Sequence, residues 1–142
     1  MAQDDLYRSV VLERAKHPRY AGSLPEADLH GQGSNPLCGD RVKLHAMVDT
    51  HGRIATLRHE TRGCAICVAS ADLMAEQVTG QGRTQVSMLH ADLATAVETG
   101  MAPDGLGELS VFAPLHQHRS RIRCAMLPWS ALSDMLNDEK DR

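Results

Sequence analysis

At 142 residues the chain is about one domain's worth, long enough to bury roughly two thirds of its unfolded surface and to hold a core without disulfide staples. Its only aromatic residues are Tyr7, Tyr20, Phe112 and Trp129, and its formal charge of −3 is of mixed sign, so the core has to be aliphatic and neither base stacking nor a basic nucleic-acid face is available. No run approaches the length of a membrane span, and the opening MAQDDLYRSV is acidic where a signal peptide starts basic and turns apolar, which predicts a cytoplasmic protein.

Between Asp5 and Lys16, Leu6, Tyr7, Val10, Val11 and Ala15 recur at helical spacing, and His17-Pro18 ends the run, predicting a first helix. Tyr20 to Pro36 is rich in Gly, Pro, Ser and Asn without periodicity and reads as a loop, with at most a short edge strand, that delivers the chain to Cys38. From Arg41 to Asp49, Val42, Leu44, Ala46 and Val48 alternate, which predicts a strand buried on one face. Thr50 to Arg53 has turn chemistry, and Ile54 to Thr61 completes a hairpin whose broken alternation at Ile54 and Leu57 predicts a bulge.

After Gly63, the positions of Cys64, Ile66, Ala69, Leu73, Met74 and Val78 predict a helix that stops at Gly80, so Cys64 sits where a strand becomes a helix. Val86, Leu89, Leu93 and Val97 predict another, stopped by Gly100 and followed by a loop from Pro103 to Gly107. Leu109 to His118 is mixed and carries Pro114. Arg119 to Cys124 and Leu127 to Leu136 then read as helical, with Trp129, Leu132 and Leu136 on one stripe assigned to packing, ahead of a polar, fraying tail NDEKDR. One helix, then strands, then several helices is the order of an α+β layered domain, expected to span the whole chain, 1–142.

Four cysteines in a reducing compartment point to metal binding or thiol chemistry rather than disulfides. Cys38-Gly39-Asp40 sets a thiolate and a carboxylate around a glycine, so that a turn can aim both at one point. Cys64 begins a helix, where free N–H groups and the dipole favour a thiolate, and Cys124 reaches them only through the fold. Three thiolates and one carboxylate would fill a tetrahedral zinc site, and the same ligands suit ferrous iron or a small iron–sulfur cluster. The harder oxygen ligand makes one corner easier to open, which suits transfer better than permanence.

Spacing leaves two other readings open. Cys38 and Cys124 can be small buried hydrophobes. Cys64 and Cys67 form a C-x-x-C pair at a helix start, as in thiol-redox proteins, although a hairpin precedes it here where a thioredoxin-type domain has a βαβ unit; Cys67 also reads as helix packing. Arg119, Arg121 and Arg123 are either a charged helix face or a basic group that docks an acidic partner and steadies a thiolate.

Four motifs in order, LYRSVVLERAKHPRYAG, NPLCGDRVKL, GCAICVASADLM and RIRCAMLPWSAL, carry a resemblance over nearly the whole chain to the NifU/IscU-like iron–sulfur cluster assembly proteins, and within them to the SufU branch. The stretch from Cys64 to Cys124 is longer than in the IscU branch, and Arg123 stands where that branch has a histidine; both features are similar to the SufU pattern. The resemblance implies a small antiparallel sheet of about three strands covered by helices on one side. Residue by residue it implies that Cys38, Asp40, Cys64 and Cys124 hold the metal, with Arg123 as a basic neighbour and Cys67 outside the set. It also implies zinc, a SufS-like pyridoxal-phosphate cysteine desulfurase as partner, and Cys124 as acceptor of its persulfide sulfur once the partner opens the metal shell. Downstream iron–sulfur assembly proteins or apoproteins would receive the sulfur or the cluster, and the chain would not be a stand-alone enzyme. A scaffold carrying a transient 2Fe–2S cluster would use the same four ligands, so both mechanisms stay open.

Overall fold

The computed structural model describes residues 3–140, with side chains over 6–137. Helix α1 spans Gln3–Lys16, strands β1, β2 and β3 span Leu29–Asn35, Asp40–Val48 and Ile54–Arg62, and helices α2, α3 and α4 span Ala65–Val78, Arg83–Thr99 and Arg119–Lys140, with a 3-10 helix over Gly107–Gln117 ahead of α4. The polar tail stays helical to Lys140, and Asp141 and Arg142, like Met1 and Ala2, lie outside the described residues.

The three strands form one antiparallel sheet in sequence order. β2 and β3 are the expected hairpin, and the expected bulge lies where Met47 pairs with Thr56 and Val48 with Ile54, leaving Ala55 over. That extra residue lets both Ile54 and Leu57 face inward, at 2% and 0% exposure. β1 corrects the sequence expectation: a seven-residue strand, paired with β2 from Leu29↔Ala46 to Asn35↔Asp40, replaces a loop with a short edge. Its inward positions include Gly31 and Gly33, which carry no apolar signal. They are glycines because α4 lies against this strand: a Cβ on Gly31 would meet Met135 and one on Gly33 would meet Ala131.

Helices cover the inner face of the sheet. α2 is buried almost all round, with Leu73, Met74, Ala75 and Val78 fully enclosed between β3, α1 and α4, as a helix must be when it runs through the middle of a core. α3 ends at Gly100, whose left-handed backbone (φ 81°) lets its N–H reach back to Ala96. The mixed stretch after Gly107 is a 3-10 helix that buries Leu109, Val111, Phe112 and Leu115. The two helical signals that follow merge into one helix through Pro128. Pro128 donates no N–H to the carbonyl of Cys124, one turn back, and next to it the Ser70 hydroxyl of α2 donates to the Ala125 carbonyl (2.5 Å). Trp129 and Leu132 are fully buried, as the stripe predicted.

A buried ionic knot locks the layers. Asp72 of α2 accepts bonds from Arg14 of α1 (2.9 Å), from the backbone N–H of Arg19 (3.0 Å) and Tyr20 (2.8 Å), and faces Nε2 of His59 on β3 (3.0 Å). Arg14 also reaches Glu76 (2.7 Å) and Glu108 (3.5 Å).

Candidate metal centre

The β1–β2 connection is a tight turn. Asn35 organises it by accepting the Leu37 N–H on its side chain (3.1 Å) and the Cys38 and Gly39 N–H groups on its carbonyl (3.3 and 2.8 Å). Gly39 takes a left-handed backbone (φ 77°), which turns the chain so that Cys38 and Asp40 face the same point. The Cys38 sulfur is 3.1 Å from Oδ2 of Asp40. Asp40, the first residue of β2, is 1% exposed.

The second thiol arrives from the other edge of the hairpin. Cys64 is the N-cap of α2 with an extended backbone, and its N–H donates to Oδ1 of Asp40 (3.0 Å), so the carboxylate caps the helix from outside. Its sulfur lies 3.8 Å from Oδ2 of Asp40. Cys124, one turn into α4 and buried, completes the group: the ligand atoms of Cys38, Asp40 and Cys124 all lie within 4.8 Å of one another. The Cys38 and Cys64 sulfurs thus lie 3.1 and 3.8 Å from Asp40, and Cys124 joins Cys38 and Asp40 in one compact group that the Cys64 sulfur borders without entering.

Burial opposes the charge on Asp40, but the Cys38 thiol, the Cys64 N–H and the thiols of Cys124 and Cys64 outweigh it and hold the carboxyl below its ordinary range. Burial, then the neighbouring Cys64 and Asp40, push the Cys124 thiol well above its ordinary value. One anion thus sits beside a thiol, that of Cys124, which burial holds in its protonated form, and a thiophilic cation relieves that condition, since coordination deprotonates a thiol outright.

Cys67, one turn further along α2, is fully enclosed in the core, and burial followed by the charges of Asp40, Cys64 and Cys38 pushes its thiol up strongly. Arg123 is exposed and lines a groove with Asn35, Pro36 and Leu127. Arg121 takes a different place. It lines one hollow with Tyr7 of α1, whose phenol burial pushes up, with Arg121 working against that rise and Cys64 and Cys124 adding to it. Sequence reading named no role for Tyr7, but the position of Arg121 carries a signal: three residues before Cys124 on a helix shares its face, whereas the adjacent Arg123 points about 100° away.

Gly63 provides a direct test of the packing. Its backbone is at φ 153° and a Cβ there would overlap the Asp40 carboxylate, whereas a Cβ on Gly39 meets nothing within 4 Å. Gly39→Ala should cost about 1–2 kcal/mol of backbone strain. Gly63→Ala should cost more, roughly 2–4 kcal/mol, because the Cys64 N–H also loses its acceptor. Urea unfolding of the two variants measures the difference, and equal costs would remove Asp40 as the cap of α2.

The family model of the NifU-like N terminal domain matches residues 6–138. The chain is 33% identical over 132 residues to the zinc-dependent sulfurtransferase SufU of Bacillus subtilis, covering 91% of this chain and 88% of that protein. It is 31% identical over 134 residues to the iron–sulfur cluster assembly scaffold protein IscU of Streptococcus pyogenes, covering 92% and 82%. The crystal structure of a nitrogen-fixing NifU-like protein (N-terminal) from Brucella abortus superposes with a TM-score of 0.88 at 26% identity, covering 98% and 97%. Matching motifs, the three-stranded sheet under its helices and the length of these matches agree, and the chain belongs to the NifU-like N-terminal domain family of IscU-like iron–sulfur cluster assembly proteins.

Proposed function

We propose that this protein holds zinc on Cys38, Asp40, Cys64 and Cys124 and accepts persulfide sulfur on Cys124 from a pyridoxal-phosphate cysteine desulfurase, for delivery to iron–sulfur assembly. The carrying observation is the convergence of three thiols from three separate elements on one buried carboxylate. This donor set fits a borderline-soft divalent cation, with three sulfurs for affinity and one oxygen as the weaker corner. Zinc, when bound, supplies the positive charge that keeps these thiols ionised at neutral pH.

Asp40 and the Cys64 N–H fix the site from the β2 side, while Cys124 sits on a helix that Pro128 frees from one backbone bond just beyond it. In the transfer step the Cys124 thiolate bonds to the outer sulfur of the incoming persulfide, the donor's S–S bond breaks and the donor thiolate leaves, so no external oxidant or reductant is needed. Arg121, three residues before Cys124 on α4, adds a cation on the helix face that carries the acceptor thiol. No helix among the described residues is long and apolar enough to cross a membrane; from the likeness to iron–sulfur cluster assembly proteins we assign the protein to the cytoplasm, acting as one domain.

The test is the bound zinc, iron and acid-labile sulfide of the purified chain, of Asp40→Ala and of Cys124→Ser. About one zinc per chain without sulfide is expected, with retention lowered at least tenfold or so in either variant. Although Cys124 packs in the core, most of that core, Leu44, Leu57, Leu93, Phe112 and Trp129 included, is built from other side chains, so chelation should leave the circular dichroism and cooperative unfolding largely intact, where a purely structural zinc domain would unfold. Iron with matching sulfide would instead identify a cluster scaffold, the activity named for the Streptococcus pyogenes relative. An unmetallated chain in every form would sink the site and move the chemistry to Cys64 and Cys67.

A further inference from the structure

The face of the sheet turned away from the helices carries a second constellation. His30 on β1 and His45 on β2 are direct cross-strand partners, and the register places them five pairs along the ladder from Asn35↔Asp40, about 17 Å from the thiol end. Their Nδ1 atoms are 2.8 Å apart and their rings meet edge to face with centroids at 5.0 Å. At that distance one Nδ1 carries a proton shared with the other. His30 is exposed, and with Gln32 and Lys43 the pair borders a hollow of about 310 Å³.

The other nitrogen of His45 makes the pair more than a surface contact. Nε2 is buried without a hydrogen-bond acceptor, yet Oε1 of Glu60 on β3 stands 3.4 Å away. An imidazole that ligates a metal through Nδ1 carries its proton on Nε2, and such ligands are oriented by donating that proton to a carboxylate. Glu60 occupies that place.

From these observations the geometry points to a metal-binding site of this protein, formed by Nδ1 of His30 and Nδ1 of His45 with Glu60 behind His45, for a divalent ion of tetragonal preference such as nickel(II) or copper(II). The separation selects the class. With metal–nitrogen bonds of about 2.0 Å, nitrogens 2.8 Å apart subtend about 90°, the cis angle of a square-planar or octahedral ion, whereas a tetrahedral ion needs about 3.3 Å. Binding puts the ion in the place of the shared proton, which moves to the outer Nε2 of His30, so two neutral imidazoles take up the ion with no net release of protons, and water fills the remaining positions toward the open hollow. Lys43 and Arg58 share this face and oppose added positive charge, although Arg58 lies over the Tyr20 ring at 5.6 Å; Glu60 offsets one of the two charges.

Nickel(II) titration of the full chain by calorimetry tests this, with His30→Asn, His45→Asn, Glu60→Gln and, as a control in the exposed β2–β3 turn, His51→Asn. Circular dichroism verifies that each variant is folded. One nickel-binding event should weaken at least tenfold in either of the first two variants, weaken severalfold in Glu60→Gln, and stay unchanged in His51→Asn. Nickel held at the thiols would persist in all four as a separate event. If the parent and both histidine variants titrate alike, the proposal is overturned.

Discussion

Asp72→Ala should destabilise the fold by about 3–5 kcal/mol, a large share of the 5–15 kcal/mol typical of a domain. The side chain is fully buried and answers four groups at once: the Arg14 guanidinium, Nε2 of His59, and the backbone N–H groups of Arg19 and Tyr20. Alanine leaves all four short of an acceptor inside the core, while Arg14 keeps only Glu76 and the more distant Glu108. Urea or thermal unfolding reads the loss, the latter as a fall in Tm of roughly 10–20 °C. Asp72→Asn, which keeps an acceptor oxygen, should fall between the parent and alanine. A shift no larger than that of a surface substitution would remove the knot as the tie between α1, α2 and β3.

The same residue sets an acid limit. Burial alone would raise its carboxyl, but the bonds from His59, from the Arg19 and Tyr20 N–H groups and from Arg14 bring it to about 2, well below the usual carboxylate range. A depressed folded-state value means that the unfolded chain takes up the proton first. The stabilisation is therefore complete above about pH 4 and disappears as pH falls toward 2, amounting to roughly 2–3 kcal/mol. In Asp72→Asn that part of the acid dependence should vanish.

How much of this was legible in the sequence depended on which residues carried side chains to read. β2 announced itself through Val42, Leu44 and Ala46, and α2 through its apolar run, because burial there is written in aliphatic residues. β1 was not legible, since its inward face is built on Gly31 and Gly33 and what fills the space belongs to α4. The site divided in the same way. Cys38, Asp40 and Cys64 sit at a turn and a helix start that local spacing marks, whereas the approach of Cys124 depends on α4 crossing the sheet, and only the resemblance supplied it ahead of the structure. The Asp72 knot was invisible because its partners come from three separate stretches of chain, none of them patterned.

Cys124→Ser should reduce persulfide uptake by at least about a hundredfold, because a serine hydroxyl stays protonated at neutral pH and does not displace a thiolate from sulfur. Cys67→Ser should keep most of the uptake, since that thiol is enclosed in the core and burial holds it in its unreactive, protonated form. The readout is the gain of one sulfur atom in the mass of the chain after incubation with a desulfurase and cysteine, scored beside the unfolding curve of each variant so that lost stability is not mistaken for lost chemistry. The pair of substitutions separates the two thiol chemistries the sequence left open. Uptake that survives Cys124→Ser but fails in Cys67→Ser would mean that the C-x-x-C pair does the work. That outcome would require α2 to open at its first turn and bring a fully buried sulfur to the surface, against the packing of Ile66, Leu73 and Met74 along the same helix.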